Sequence, residues 1–119
     1  MSSTVVQYII VRSDLVKELG WPIGALIAQA CHAVTATMHL FKDDEHLQSY
    51  LANLESMHKI TLECSSEKDL RDLSEKLTEN SIAHHLWIEQ PENIPTCIAV
   101  KPYPKEHIQK YFKKFNLLK

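Results

Sequence analysis

Residues 4–12 are an almost unbroken run of β-branched and aromatic side chains, Thr-Val-Val-Gln-Tyr-Ile-Ile-Val-Arg. A run without regular polar alternation is typical of a strand that is covered on both faces. Covering both faces requires helices above and below a sheet, so this run favours an α/β fold. The length of 119 residues fits a single domain, residues 1–119, rather than two.

The rest of the chain predicts elements in the order β-α-α-β-α-β-β-α. A long helix is expected from near Pro22 to about residue 41, with a buried stripe of Ile23, Ile27, Val34, Met38 and Phe41 and with Leu26 and Ala30 alongside. The other expected elements are a second helix over 47–54, strands over 58–64, 82–88 and 96–100, a helix capped by Ser65 or Ser66 and ending at Asn80, and a last helix carrying Ile108, Tyr111, Phe112 and Phe115. The predicted fold is therefore an α/β single domain with a four-stranded mixed β-sheet and helices on both faces.

Charge is distributed unevenly along the chain. The net charge is -2, but residues 101–119 hold six lysines against Glu106 alone. A basic segment of this kind can contact phosphate locally while the rest of the molecule stays acidic. The candidate phosphate contacts are Lys105, Lys110, Lys113 and Lys114. The alternative for this segment is a solvated helix face.

Several function classes lack their usual motifs. The 3 cysteines have no C-x-x-C spacing, which disfavours a disulfide framework and a zinc site. His84 and His85 are adjacent in a predicted strand and point to opposite faces, so they cannot chelate one metal together. A Gly-rich phosphate loop and a G-x-S-x-G elbow are absent from the sequence. We expect no metal, no cofactor, no membrane span and a cytoplasmic location, because no apolar run approaches a span's length and no signal-peptide pattern is present.

The long helix carries a polar pair among small residues. At about 100° per residue, a narrow stripe separate from the apolar one contains Ala25, Gln29, His32 and Ala36. Small neighbours leave space for a ligand, and a histidine can donate, accept or shuttle a proton near neutral pH. The alternative is that His32 belongs to a buried hydrogen-bond network and Gln29 lies on the surface.

These motifs resemble a known family. The segment at 24–33 reads Gly-Ala-Leu-Ile-Ala-Gln-Ala-Cys-His-Ala, after Arg-Ser-Asp-Leu at 12–15. With Trp-Ile-Glu-Gln-Pro-Glu-Asn-Ile-Pro-Thr-Cys-Ile-Ala at 87–99, the chain resembles the type 2 peptidyl-tRNA hydrolases over nearly its whole length, and within them a divergent branch, the peptidyl-tRNA hydrolase domain-containing proteins. The resemblance implies hydrolysis of the ester between a peptide and the 3′ ribose of tRNA, with peptidyl-tRNA as the partner and no metal required.

The resemblance also implies roles for individual residues. Gln29, His32 and Thr96 match family positions, and Glu89 stands where the family has Asp. Glu89 or His32 would position or activate water, while Gln29 and Thr96 would hold the ester by hydrogen bonds. Further substrate contacts would come from Arg12, Asp14 and Asn93.

A lysine of the family pattern is missing from this sequence. The lysine that follows Gly24 in the family is Ala25 here. Removing one charge-stabilising donor commonly costs about 2.7 to 4 kcal/mol of transition-state stabilisation. Lys17, on the longer preceding loop, is predicted to fold back and replace the missing charge. The alternatives are a catalytically weak or inactive relative that binds RNA or protein, or an adaptor without a ligand. A homodimer stays open.

Overall fold

A mixed β-sheet runs through the protein in a computed structural model that describes residues 4–119. Its six strands are β1 (Val5–Arg12), β2 (Lys59–Cys64), β3 (His84–Glu89), β4 (Ile94–Val100), β5 (Tyr103–Pro104) and β6 (Asn116–Leu117). The order across the sheet is β3-β4-β1-β2-β6, and β5 pairs with the first residues of β1. β1 is parallel to β2 and antiparallel to β4. Residues 1–3, the start of the predicted domain, lie outside the described residues.

Helices cover both faces of this sheet, as the buried character of β1 predicts. The helices are α1 (Asp14–Lys17), α2 (Ile23–Leu40), α3 (Glu45–Leu51), α4 (Glu67–Glu79) and α5 (Lys105–Ile108), with 3-10 turns at Leu54–Ser56 and Gln109–Tyr111. On one face, α2 packs over a core that includes Ile9, Val11 and Ala99. On the other face, the leucines of α4 pack over a core that includes Ile10 and Ile98. The α/β prediction with a mixed sheet and helices on both faces is confirmed.

The predicted number of strands is wrong. Among residues 4–119 the sheet has six strands, not four, because β5 and β6 contribute two residues each. Two residues are too few for an alternation pattern to show. The last helix is also shorter than predicted: α5 ends at Ile108, and the chain then makes a 3-10 turn and pairs with β2 as β6.

The ends of α4 lie where the sequence predicts them. The Ser66 hydroxyl accepts a hydrogen bond from the backbone N–H of Asp69 at 3.1 Å, which satisfies one of the free donors of the first turn. The helix ends with Asn80 as its C-cap. Local capping chemistry therefore decides both ends of this helix.

The predicted buried stripe of α2 is wrong at Ile23 and Ile27, whereas Leu26 is buried and Ala30 and Val34 pack against the same core. Ile23 and Ile27 are 60% and 58% exposed, while the residues buried against the sheet are Leu26, Gln29, Ala33 and Thr37. Small and polar residues face the sheet because their polar atoms find partners there: the Thr37 hydroxyl donates to the carbonyl oxygens of Ala33 at 2.8 Å and of Ala99 at 3.3 Å. The periodicity of the apolar residues predicted burial of a neighbouring face of the same helix.

By length and composition alone, α2 is also the one helix of residues 4–119 that could cross a membrane. In this fold it packs on the sheet over β4, β3 and β1, and 22% of the helix is buried inside the protein. A single helix of this length and composition is weak evidence for a membrane span.

Candidate active site

Gln29 lies at the centre of a hydrogen-bonded group where α2 meets the end of the β3–β4 hairpin. Its side chain is 2% exposed. Its Nε2 donates to Glu89 Oε2 at 3.1 Å and to the carbonyl oxygen of Ala25 at 3.3 Å. Its Oε1 accepts a hydrogen bond from the Thr96 hydroxyl at 2.9 Å. Three of the predicted site residues, Gln29, Glu89 and Thr96, are thus in direct contact.

The orientation of the Gln29 amide follows from its partners. A backbone carbonyl and an ionised carboxylate can only accept hydrogen bonds, so both must face the NH2 group. The Thr96 hydroxyl must then donate to the remaining oxygen. Because both amide hydrogens already have partners, Gln29 holds other groups in place and is buried too deeply to contact a substrate directly. The alternative that Gln29 lies on the surface is wrong.

Glu89 carries the negative charge of this group. The indole of Trp87 donates from Nε1 to Glu89 Oε1 at 3.1 Å. This bond, then the bond from Gln29, lowers the pKa of Glu89 below its ordinary value, and the charge of His32 acts in the same direction. Hydrogen bonds to the charged form of a carboxyl group favour that form. Glu89 is therefore a carboxylate near neutral pH, and its oxygens have lone pairs left to accept bonds from water.

Trp87 joins His32 to this group, and the sequence reasoning missed it. The imidazole of His32 stacks on the indole, with ring centroids 4.8 Å apart and planes inclined by 17°. His32 is exposed, which contradicts the alternative that it belongs to a buried network. A usable signal was present: Trp87 and Glu89 are two residues apart in a strand, so their side chains share one face. His85, two residues earlier, meets the indole edge at 6.2 Å between centroids.

A β-bulge explains how Thr96 reaches α2. The pairs Trp87–Cys97 and Ile88–Pro95 leave Thr96 as one extra residue in β4. A bulge redirects a side chain that strict alternation would send to the other face. The Thr96 hydroxyl consequently points to the α2 side of the sheet, where it meets the buried amide.

Arg12 and Asp14 form a buried ion pair that bonds the backbone of this bulge. Arg12 donates to both carboxylate oxygens of Asp14, at 3.1 and 2.7 Å, and to the carbonyl oxygen of Pro95 at 3.0 Å. Arg12 and Asp14 are only 5% and 8% exposed. Their charged groups bond each other and the backbone next to Thr96, and their contact with a substrate stays a prediction.

Asn93 closes the loop that carries Glu89. Its backbone N–H donates to the Glu89 carbonyl oxygen at 2.7 Å, and its φ of 57° is the left-handed conformation that asparagine tolerates. Its side-chain oxygen accepts a weak bond from Gln90 at 3.4 Å. Asn93 is exposed beside the site, and its backbone fixes the hairpin end.

The four candidate phosphate contacts lie on the α4 face of the sheet, opposite to α2. They are Lys105, Lys110, Lys113 and Lys114. Ile108 and Phe112, which alternate with them, belong to the core under α4 rather than to the core under α2. Two cavities on that side, of about 240 and 270 Å³, are lined by lysines: Lys105 and Lys113 line the first, and Lys76, Lys110, Lys113 and Lys114 line the second. The structure does not bring these side chains together with the Gln29 group.

Lys17 does not replace the charge of the family lysine that is missing at position 25. The Lys17 ammonium bonds Glu63 Oε1 at 3.0 Å, so the prediction that it folds back to the site is wrong. Ala25 contributes its carbonyl oxygen to the Gln29 amide instead. Within residues 4–119, no group of three or more His, Cys, Asp or Glu side chains is arranged to hold a metal ion.

The two buried cysteines, Cys64 and Cys97, are not activated nucleophiles in this fold. Burial raises the pKa of the Cys64 thiol to about 11 and raises that of Cys97 as well. Raised values keep both thiols protonated, and a thiol reacts as its thiolate. Cys31 is exposed on α2.

Comparison with known proteins identifies the family. A family model described as "Peptidyl-tRNA hydrolase PTH2" matches residues 5–118. The chain belongs to the PTH2 peptidyl-tRNA hydrolase family. The match spans α2, the β3–β4 hairpin and the C-terminal segment, so the candidate site lies entirely within the PTH2 region.

Individual PTH2 relatives are similar over most of this chain. The "Putative peptidyl-tRNA hydrolase PTRHD1" of Mus musculus is 52% identical over 115 residues, which are 96% of this chain and 82% of the mouse protein. The Homo sapiens protein of the same name is 51% identical over the same shares. The "Probable peptidyl-tRNA hydrolase 2" of Dictyostelium discoideum is 32% identical over 117 residues, 93% of this chain and 53% of that protein. The predicted resemblance to the type 2 family is confirmed.

Proposed function

We propose that this PTH2 protein hydrolyses the ester that links the C-terminal carbonyl of a peptide to the 3′ ribose of tRNA. The observation that carries the proposal is the contact of Gln29 on α2 with Glu89 and Thr96 of the β3–β4 hairpin, which lie 60 and 67 residues further along the sequence. Family membership and the names of the relatives support the same reaction.

The proposed reaction uses water as the nucleophile. The water oxygen attacks the ester carbonyl carbon and forms a tetrahedral intermediate. The bond from that carbon to the ribose 3′ oxygen then breaks, and the electron pair leaves with the oxygen, which takes up a proton. The products are a peptide carboxylate and tRNA with a free 3′ hydroxyl, and one proton is released to solvent. An ester is labile enough that orienting the water contributes substantially to the rate.

The two ionisable groups of the site suit different parts of this reaction. A carboxylate whose pKa is lowered is a weak base, so Glu89 orients the water by accepting a hydrogen bond from it. An imidazole is the side chain suited to exchanging a proton near neutral pH, so exposed His32 is the candidate proton acceptor. Buried Gln29 and Thr96 keep Glu89 in place. Arg12 and Asp14 hold the backbone at Pro95, and Asn93 holds the loop.

The C-terminal lysines fit contacts to tRNA phosphates beyond the ester-bearing end. They line a face on the other side of the sheet, so a contact there would involve a different part of the RNA from the reacting ester. Phosphate contacts of this kind position a nucleic acid without reading its sequence.

The test is ester release from labelled N-acyl-aminoacyl-tRNA by the purified protein. His32→Ala is the test variant, and His39→Ala is its matched control because His39 is an exposed histidine on the same helix outside the site. The proposal expects release by the wild type and His39→Ala, and a strong loss in His32→Ala. Binding of tRNA without ester release by the wild type would overturn the proposal and favour a non-catalytic RNA-binding protein.

A further inference from the structure

We propose that Trp87 is a positioning residue of this site, which orients Glu89 through its indole N–H and His32 through its ring. The inference rests on the proposed hydrolysis and gives a role to Trp87, a residue to which the resemblance assigned none. It concerns a single side chain at the edge strand β3 that touches both ionisable groups of the site.

The first contact fixes the carboxylate. Trp87 has one hydrogen-bond donor, Nε1–H, and it is directed at Glu89 Oε1. Gln29 Nε2 holds the other oxygen, Oε2. Two donors on two oxygens stop rotation of the carboxylate, which leaves its free lone pairs in fixed directions for a water molecule. The first contact is also the largest cause of the lowered pKa of Glu89.

The second contact fixes the imidazole. His32 is exposed on α2, where a side chain would otherwise sample several rotamers. Its ring lies nearly parallel to the indole at 4.8 Å between centroids. Aromatic pairs at this separation have a preferred geometry and a favourable energy beyond the area they bury. Glu89 and His32 are therefore held by the same indole, which fixes the position of one relative to the other.

The loss of the family lysine makes the hydrogen bond from this indole more important for holding Glu89. Ala25 occupies the position of the family lysine, and Lys17 is engaged with Glu63. Among residues 4–119, the Glu89 carboxylate accepts hydrogen bonds from the neutral Trp87 indole, the neutral Gln29 amide and the backbone N–H of Gln90. Because neutral donors carry no net charge, they hold a carboxylate through the directionality of their hydrogen bonds.

The experiment compares Trp87→Phe with Trp21→Phe. Phenylalanine keeps an aromatic ring next to His32 and removes the N–H to Glu89. Trp21 lies before α2 and packs against the α2-side core, so it is the matched control. Two measurements are made: the titration of the Glu89 carboxyl carbon by NMR, and the steady-state kinetics of ester release.

The expected result separates positioning from folding. In Trp87→Phe, the pKa of Glu89 rises toward its ordinary value and kcat falls about 10-fold or more, while KM changes less than about 2-fold. Trp21→Phe leaves the Glu89 titration at its wild-type position. An unchanged Glu89 titration in a folded Trp87→Phe protein overturns the inference, and so does an equal fall in kcat in both variants.

The stacking contact has its own spectroscopic test. In the Trp21→Phe background, Trp87 is the only tryptophan, and an imidazole in contact with it changes its fluorescence. His32→Ala is expected to change the emission of Trp87, and His39→Ala is expected to leave it unchanged. Equal emission in all these proteins overturns the stacking part. Neither the titration nor the fluorescence requires turnover, so a failure of the proposed hydrolysis is distinguishable from a failure of this inference.

Discussion

The hydroxyl of Thr96 donates to Oε1 of Gln29 at 2.9 Å, and this bond joins β4 to α2 at the centre of the site. Both side chains are buried, so neither polar atom can turn to water for another partner. The bond sets which end of the Gln29 amide faces Glu89. The orientation of the half-buried Glu89 carboxylate is thus decided by a contact deeper in the protein.

Thr96→Val should lower both stability and activity. Valine keeps the shape of threonine but leaves the Gln29 oxygen without a donor, which costs about 1–3 kcal/mol for a buried polar group. The free energy of unfolding from urea denaturation and the rate of ester release measure the two effects. Thr35→Val, at an exposed position of α2, is the control and should change neither. A wild-type rate in Thr96→Val would contradict the role of this bond.

The contribution of Glu89 to stability should depend on pH. Its pKa in the folded protein is lowered from the ordinary value of 4.5, mainly by the bond from Trp87, so folding favours the charged form. Stability from such a group is present above the unfolded pKa and is lost as pH falls through the folded pKa. We expect Glu89→Gln to have a lower free energy of unfolding than wild type at neutral pH. This difference should shrink as the pH falls below 4.5, the ordinary pKa of the glutamate side chain. A difference that stays constant between about pH 7 and pH 3 would contradict this account.

Arg12→Lys should destabilise the bulge. Lysine keeps the charge but cannot bond two carboxylate oxygens and a carbonyl at once, because it lacks the planar fork of arginine. We expect a loss of about 1–3 kcal/mol in the free energy of unfolding, since buried partners are left unsatisfied. Arg71→Lys is the control: Arg71 pairs with Glu67 on the surface, where a pair is worth less than about 1 kcal/mol. Equal losses in the two variants would show that burial of Arg12 is unimportant.

Lys113→Glu should weaken tRNA binding and its salt dependence. Each lost phosphate contact lowers the slope of log K against log salt by about 0.7–0.9. Lys42→Glu changes the net charge equally at an exposed position after α2, and should have a smaller effect. Binding measured at several salt concentrations gives the slopes. Identical slopes in both variants would indicate a general charge effect and no contact at the α4 face.

The sequence predicts the parts of this fold that depend on local chemistry or long patterns. The buried run of β1, the Ser66 cap of α4 and the strand before Glu89 are each read from a few neighbouring residues. The face of α2 is different, because Gln29 and Thr37 are buried only where distant strands supply hydrogen-bond partners. Periodicity of apolar residues cannot register such partners, so it favoured Ile23 and Ile27.

The candidate site shows the same division. The resemblance picks out Gln29, Glu89 and Thr96, but the bulge that turns Thr96 toward α2 appears only in the pairing of β3 with β4. Arg12 and Asp14 look like free charged groups in the sequence and prove to be an internal pair, since a strand end and a bulge meet there. The candidate lysines between residues 105 and 114 follow soon after Thr96 in the sequence. In the fold they lie on the α4 side of the sheet, so the sheet separates them from the site.

The most direct measurement is the rate of ester release from labelled N-acyl-aminoacyl-tRNA by Glu89→Gln beside Glu92→Gln. Glu92 is an exposed glutamate of the same loop, so the two variants differ in contact with Gln29 and Trp87 rather than in charge. We expect Glu89→Gln to lose activity while Glu92→Gln and wild type release the ester at similar rates. Equal release by all three proteins would contradict the assignment of the Gln29–Glu89–Thr96 group as the hydrolytic centre.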